Sequence, residues 1–374
     1  MSSIIVTIYP PQELNHACYI HTGLFELEND NFLKTTIAFS FKKRLGTIKI
    51  IDSKIRITNQ PHPKTSFYKL TDKENNKTIH FATDLYDASF SFSTYALENC
   101  EYVFKRNYEK KYIELLPDAY QKKIFPLGLT FPSKSIHSKE SYKFFSSLLF
   151  TNLLISVKMD RLFFKRLQNT YKEQINHWYF FKKTRFLSEF EKFSSSVKNT
   201  ILFQTRCFPN EIDQDVKQIH QQRYDLVLLL KKTFKEKFKG GIIPSIVANE
   251  NYKKALSNFD SDPLQYLNLL KEAKIVIYTR GLVNSPAWKM AEYLSQAKVI
   301  IAEKLTAELP FPIANGKEVL FFDSDLELVS QIEKVLKNEV LCVSLAKNSR
   351  EYFDMHVHPK QNVKRIINFM KAIR

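Results

Sequence analysis

The hydrophobic pattern is clearest between residues 273 and 304, where its period changes twice. A β-branched run, Ile275-Val276-Ile277-Tyr278, gives way to a polar loop carrying Arg280 and Gly281. The next segment, AWKMAEYL, spaces its apolar positions as an amphipathic helix does, and a second apolar run at 298–302 closes the unit. Apolar runs joined by a helix predict parallel strands in a sheet with helices on its faces. Sheets of that kind take ligands beyond the carboxyl ends of their strands. The loop at that end brings together an arginine, a glycine and a helix N-terminus, a combination that suits a phosphate-bearing ligand.

The alternation runs through the whole second half. Residues 200–205 read as a buried strand, 213–238 as a long helix, and 242–243 as a short strand after Gly240-Gly241. Residues 263–273 read as a helix, 319–322 as a strand, and 324–338 as a helix with Asp325 and Glu327 in its first turn. The last helices run from 339 to 374. In the first half a buried strand at 4–8 leads into a loop at 9–21. Strand-like runs follow at 35–41, 47–51, 66–70, 78–82 and 101–104, with a helix at 87–99. Residues 124–128 read as a strand entering a turn, and 139–195 as helical, aromatic and basic. Two successive alternations predict an α/β fold of two Rossmann-like domains facing across a cleft. The N-terminal domain would span 1–190 and the C-terminal domain 191–374, with the last helix able to cross back to the first.

Composition agrees with this outline. A chain of 374 residues suffices for two cores, and 44% hydrophobic with 14% aromatic residues excludes disorder. The formal charge of +17 calls for an anionic partner: nucleic acid, phospholipid headgroups or a phosphorylated substrate. Residues 141–200 hold 11 Lys/Arg against 4 Asp/Glu among many aromatics. Such a stretch suits either a core or an anionic membrane surface. The longest apolar segment, 144–157, is too short to span a bilayer, and the first residues lack the cationic start of a signal peptide. Cys18, Cys100, Cys207 and Cys342 are too scattered for a zinc site or a disulfide frame. These features predict a cytoplasmic protein, at most peripheral to the inner face of the cytoplasmic membrane.

The order strand–TRGL–AWKMAEYL–KVIIAE resembles the donor-binding half of GT-B glycosyltransferases, particularly group 1-like enzymes of bacterial polysaccharide and lipopolysaccharide synthesis. The resemblance extends over 199–359, taking in ILFQTRCFP, the helix with Arg223, FKGGIIP and the closing NSREYFDMHVHP. It implies transfer of a sugar from a nucleotide-activated donor to a glycan or lipid-linked glycan acceptor, with no metal or other cofactor. Capsule, O-antigen or lipooligosaccharide assembly is the setting it implies. It also implies that Glu292 holds the ribose hydroxyls, since a carboxylate can accept two hydrogen bonds from a vicinal diol. The loop Arg280-Gly281 would face the donor, where the glycine lets backbone N–H groups approach. Relatives often place a basic residue where this chain has Arg206, to offset charge on the departing diphosphate. Lys289 can reach the diphosphate as a point charge. Arg223 is a further candidate, and Gly241, with Gly240, either lines the base or turns the chain. Many retaining relatives carry an acidic residue eight positions before the glutamate. Asn284 stands there in this chain, which leaves the sugar and the stereochemical course open.

In the first half, Asp84 and Asp87 follow the strand 78–82. A carboxylate there can act as general base toward an acceptor hydroxyl, or cap the helix that follows. His16, in the loop after the first strand, can assist the same proton transfer. Two other readings stay open. One is a basic nucleic-acid-binding protein, against which stand diffuse charge and the lack of any RNP, zinc-finger or helix-turn-helix pattern. Nucleic acid is therefore not the expected partner. The other is a non-catalytic glycan-binding relative, which Asn284 keeps in play.

Overall fold

The computed structural model describes residues 2–9, 13–38, 42, 44–138, 161–194, 196–209, 211, 213–259 and 262–372. The apolar run 144–157 and the rest of 139–160 lie outside the described residues. The chain divides into two compact units: Met1–Leu187 with Ala307–Pro310 and His358–Arg374, and Ser188–Thr306 with Phe311–Val357.

The first unit holds β1 (Ile4–Tyr9), β2 (Lys34–Ile37), β3 (Thr47–Ile51), β4 (Lys54–Thr58) and β5 (Thr65–Asp72). After these come β6 (Lys77–Asp84), β7 (Ser91–Ser93), β8 (Tyr102–Lys105) and β9 (Ile124–Pro126). Six of them form a mixed sheet in the order β2-β1-β5-β6-β8-β9, and β4-β3-β7 form a separate antiparallel sheet. β1 and β2 pair in parallel, as do β6, β8 and β9, whereas β5 runs antiparallel to both β1 and β6. The start of β5 therefore lies at the carboxyl ends of its neighbours, with Phe67 opposite Tyr9 and Thr65 opposite Asp84.

Most of the loop expected at 9–21 is helix, running from Leu14 to Asn29. Eleven of its 16 residues are buried, so it shows no one-sided apolar stripe. The last helix, Pro359–Ala372, packs against it so closely that a Cβ on Gly23 would overlap the Pro359 carbonyl. The expected helix at 87–99 is shorter: helix occupies only Thr94–Asn99, where Ser93 Oγ caps by accepting the Ala96 N–H at 3.2 Å. β7 takes the residues just before it.

The second unit is built on β10 (Lys198–Arg206), β11 (Phe238–Ile243), β12 (Ala273–Tyr278), β13 (Val299–Ala302) and β14 (Leu320–Phe321). All are parallel, in the order β11-β10-β12-β13-β14. Their apolar runs are continuous because a parallel sheet is covered on both faces; Ile275, Val276, Ile277 and Ile301 are wholly or almost wholly buried. The crossover helix Gln214–Phe234 buries Val216, Ile219, Arg223, Leu226, Val227, Leu230 and Phe234 at helical spacing. Asp213 caps its start by accepting the Asp215 N–H at 2.9 Å.

Gly240 and Gly241 lie inside β11, with φ of +118° and +138°. A Cβ on Gly240 would overlap the Phe203 carbonyl of β10, and one on Gly241 would come within 2.6 Å of the Ala255 oxygen. The pair serves close backbone packing within the unit. Cys18, Cys100, Cys207 and Cys342 are free and buried. Among the described residues no helix is long and apolar enough to cross a membrane.

Candidate functional site

In the second unit the chain leaves β10 toward β11 on one side, and β12 adds on the other. That reversal creates a switch point at the carboxyl ends of β10 and β12, the place where sheets of this order take ligands. Arg206 ends β10 and is exposed; Arg280 follows β12 and is partly buried. The guanidinium of Arg223 joins the two ends. Its Nη1 donates to the Arg206 carbonyl at 2.6 Å and its Nη2 to the Arg280 carbonyl at 3.4 Å. Arg223 is only 6% exposed, and its Nε finds no acceptor among the described residues. Burial, then the neighbouring Arg206, pushes its pKa down to about 10. Arg280 Nη1 lies 2.5 Å from Asp215 Oδ1, and its backbone N–H donates to Glu303 Oε2 at 2.7 Å. Among the described residues, Arg280 is paired with Asp215, whereas no carboxylate lies within ion-pair distance of Arg206 or Arg223. Surplus positive charge beside an unsatisfied buried N–H is chemistry that an oxyanion completes.

The surrounding loops are fixed by polar contacts. The second oxygen of Asp215 accepts the Val283 N–H at 2.8 Å, so one carboxylate holds both Arg280 and the backbone beyond it. Val283 and Asn284 have φ of +52° and +56°, a region that is costly for a β-branched residue. Gly281 donates its N–H to Ser285 O at 2.9 Å, and a Cβ there would lie 2.8 Å from that oxygen. Its lack of a side chain makes room for the turn, and its N–H is used within the loop. After β10, His220 Nε2 accepts the Phe208 N–H at 2.7 Å while Nδ1 lies 2.5 Å from Glu211 Oε1. The ring proton therefore sits on Nδ1, and the imidazole is a fixed strut.

Lys289 and Glu292 are one turn apart in the helix Trp288–Ser295 and share a face. Lys289 Nζ donates to the Gln204 carbonyl on β10 and lies 4.7 Å from the Tyr266 ring centroid. Glu292 is buried. Gly241 pairs in register with Gln204. Arg206, Arg223 and Arg280 thus form one cluster, and Lys289 is tied to the strand that carries Arg206.

In the first unit the three expected catalytic residues separate into two environments. Asp84 is 1% exposed and bonded to Lys105 Nζ at 2.8 Å; Lys105, itself wholly buried, also donates to Ser91 O at 2.8 Å and Ala88 O at 3.2 Å. The other Asp84 oxygen accepts the Tyr86 N–H at 3.0 Å, with His62 Nδ1 4.0 Å away. Burial pushes His62 down to about 4, so it is neutral at ordinary pH. The structure places Asp84 in an internal ion pair, because a strand-end carboxylate with a buried lysine beside it has no route to solvent.

Asp87 and His16 reach the surface. Asp87 is bonded to Lys64 Nζ at 2.6 Å and to Arg106 Nη2. Burial alone would raise its pKa, but Arg106 and Lys64 outweigh that and hold it below the usual carboxylate range. His16, in the first turn of the helix Leu14–Asn29, has Nδ1 3.4 Å from Glu13 Oε2. Burial lowers its pKa against the pull of Glu13, with Lys64 and Arg106 adding to the drop, so it is neutral near pH 7. Glu13 Oε1 accepts the Lys64 N–H at 2.9 Å. These groups cluster at the carboxyl ends of β1, β6 and β8.

Several site residues were not singled out in the sequence: Asp215, Glu303, Lys105, Arg106, Lys64 and Glu13. Glu303 carried the same signal as Arg206, a charge directly after a buried strand. Asp215 was masked by its place in a helix first turn, where acidic residues are expected anyway. Among the described residues no three His, Cys, Asp or Glu gather as a metal-ion site.

No family model matches the chain, and no curated protein does. Solved structures similar to it include the C-terminal domain of a glycosyl transferase group 1 family protein (LpcC) from Francisella tularensis. That match has 15% identity and a TM-score of 0.31, and it covers 43% of this chain and 87% of that one. A glycosyltransferase from Rickettsia africae ESF-5 matches at 12% identity over 73% of this chain and 63% of its own, with a TM-score of 0.37. Anabaena Alr3699/HepE, solved in complex with UDP, matches at 12% identity over 74% of this chain and 80% of its own, with a TM-score of 0.36. The matched region spans less than two thirds of the Rickettsia chain. At these identities the likeness is one of fold outline.

Proposed function

We propose that the protein is a glycosyltransferase that moves a sugar from a nucleotide-activated donor to a glycan or lipid-linked glycan in bacterial surface polysaccharide assembly. The observation that carries this reading is the arginine cluster at the β10/β12 switch point, with the Nε of Arg223 buried and without an acceptor among the described residues. A donor diphosphate would take its charge from Arg206 and Arg223, with Arg280 and Lys289 behind them. Guanidinium groups fixed in place offset the charge that develops on a departing nucleoside diphosphate, the task a metal performs in other transferases. Glu292 would hold the ribose. In the first unit, His16 is the better general base: it is neutral near pH 7, whereas Asp87 is already neutralised by Lys64 and Arg106. Asp87 would then orient an acceptor hydroxyl through those cations. UDP in the Anabaena structure makes a uridine nucleotide the first donor to test.

The test is a thermal-shift panel of uridine, guanosine, adenosine and cytidine diphosphates. One of them should raise the melting temperature by several degrees at saturating concentration, since a ligand at about 100 times its Kd stabilises by about 2.7 kcal/mol. If none does so, the donor site is refuted. A companion variant probes the loop. Asp215→Asn replaces a charged acceptor of two hydrogen bonds, and should weaken binding of the selected nucleotide by about 10-fold or more in calorimetric titration. An unchanged Kd would mean that the loop holding Arg280 does not depend on Asp215.

A further inference from the structure

We infer that His220 is a positioning residue for the donor site: through Phe208 it sets where the guanidinium groups of Arg206 and Arg223 stand. The inference rests on the donor reading given above and adds two residues to it. The stretch Arg206-Cys207-Phe208 leaves β10 and is held twice by the crossover helix Gln214–Phe234. His220 and Arg223 lie three residues apart on one face of that helix. One accepts the Phe208 N–H at 2.7 Å, and the other donates to the Arg206 carbonyl at 2.6 Å. The Phe208 ring stacks on the His220 imidazole, with planes 13° apart and centroids 5.8 Å apart. The guanidinium carbons of Arg223 and Arg206 stand over the same ring, 5.3 and 5.9 Å from its centroid. An aromatic face at that distance attracts a cation, so one ring draws both guanidinium groups together against their mutual repulsion.

His220 can hold this arrangement in one tautomer only. It is wholly buried, and its Nδ1 faces Glu211. Glu211 also accepts the Tyr252 hydroxyl at 2.9 Å and the Asn251 amide at 3.1 Å, which ties it to the segment after β11. The hydrogen bond from His220, first among the causes, holds the Glu211 carboxyl below its usual range. An ionised carboxylate only accepts, so Nδ1 carries the proton and Nε2 is left to accept from Phe208. A histidine that merely braced the loop would need the Glu211 bond alone. The bond to Phe208 is the one that reaches the arginines.

Two substitutions separate those bonds. Asparagine puts its amide near the place of Nδ1, where it can still donate to Glu211, but it is too short to reach Phe208. Glutamine puts its amide oxygen near the place of Nε2, where it can still accept from Phe208. The full chain and each variant are titrated by calorimetry with uridine, guanosine, adenosine and cytidine diphosphates. For the nucleotide that the parent binds, His220→Asn should weaken affinity by about 10-fold, the effect of an N–H left without its acceptor. His220→Gln should recover most of that loss. Phe208→Leu keeps the backbone N–H and the apolar bulk but removes the aromatic face, and should weaken affinity by about threefold. The inference is overturned if His220→Asn binds like the parent, if His220→Gln is as weak as His220→Asn, or if Phe208→Leu binds like the parent. Should neither His220 variant fold, Phe208→Leu decides alone, since its ring is only partly buried. A parent that binds none of the four nucleotides refutes the donor reading and this inference with it. A parent that binds one of them, with variants that match it, refutes this inference alone.

Discussion

Alanine at position 206 should lower kcat for sugar transfer by roughly 100- to 1000-fold and leave the fold intact. The side chain is exposed at the end of β10, so its removal opens no cavity. What the structure needs from this residue is its carbonyl, which anchors the buried Arg223 at 2.6 Å, and alanine keeps it. The variant therefore separates chemistry from architecture. If the guanidinium acts on charge that grows as the diphosphate departs, kcat falls more than KM rises. Arg206→Lys should recover part of the loss, because a lysine restores the charge without the planar pair of donors. A kcat within a factor of a few of the parent, from protein with the parent's melting temperature, would remove Arg206 from the reaction.

Lys105→Met should destabilise the first unit by about 3–5 kcal/mol, the cost of leaving a buried carboxylate without its counter-charge. Lys105 is wholly buried with three oxygen acceptors within 3.2 Å, so the pair is satisfied only while both members remain. Methionine fills similar space but strands Asp84 with a single backbone donor from Tyr86. Adding Asp84→Asn removes the orphaned charge and should recover a large part of the loss. The chain has only two tryptophans, Trp178 in the first unit and Trp288 in the second. In a Trp288→Phe background, urea unfolding followed by fluorescence then reports the first unit alone. A loss below about 1 kcal/mol would contradict the burial seen for this pair.

The second unit was legible in the sequence to an unusual degree, and the reason is physical. Parallel strands buried on both faces must be continuous apolar runs, as Ile275–Tyr278 and 298–302 are, and the crossover helix must carry a stripe. Charges placed at the ends of such runs, Arg206 and Arg280, stand out as strand-end groups. The first unit was less legible. Its β5 runs antiparallel between two parallel pairs, and the helix Leu14–Asn29 is buried on nearly every side, so neither announces itself by a one-sided pattern. The sequence marks His16 as a loop residue, whereas it lies in the first turn of this helix.

Sequence alone determined the residue types at the strand ends and the α/β alternation, because hydrophobic period and local propensity act over a few residues. Only the tertiary structure decided which charges are available. Asp84 and Lys105 are 21 positions apart, yet they meet inside the unit and neutralise each other. Asp215 is 65 positions from Arg280 and holds it by an ion pair. Arg223 is drawn under the ends of two strands, where its Nε is left without an acceptor among the described residues. Coulombic pairing and desolvation depend on distance through space, and the order of residues along a chain does not encode that distance.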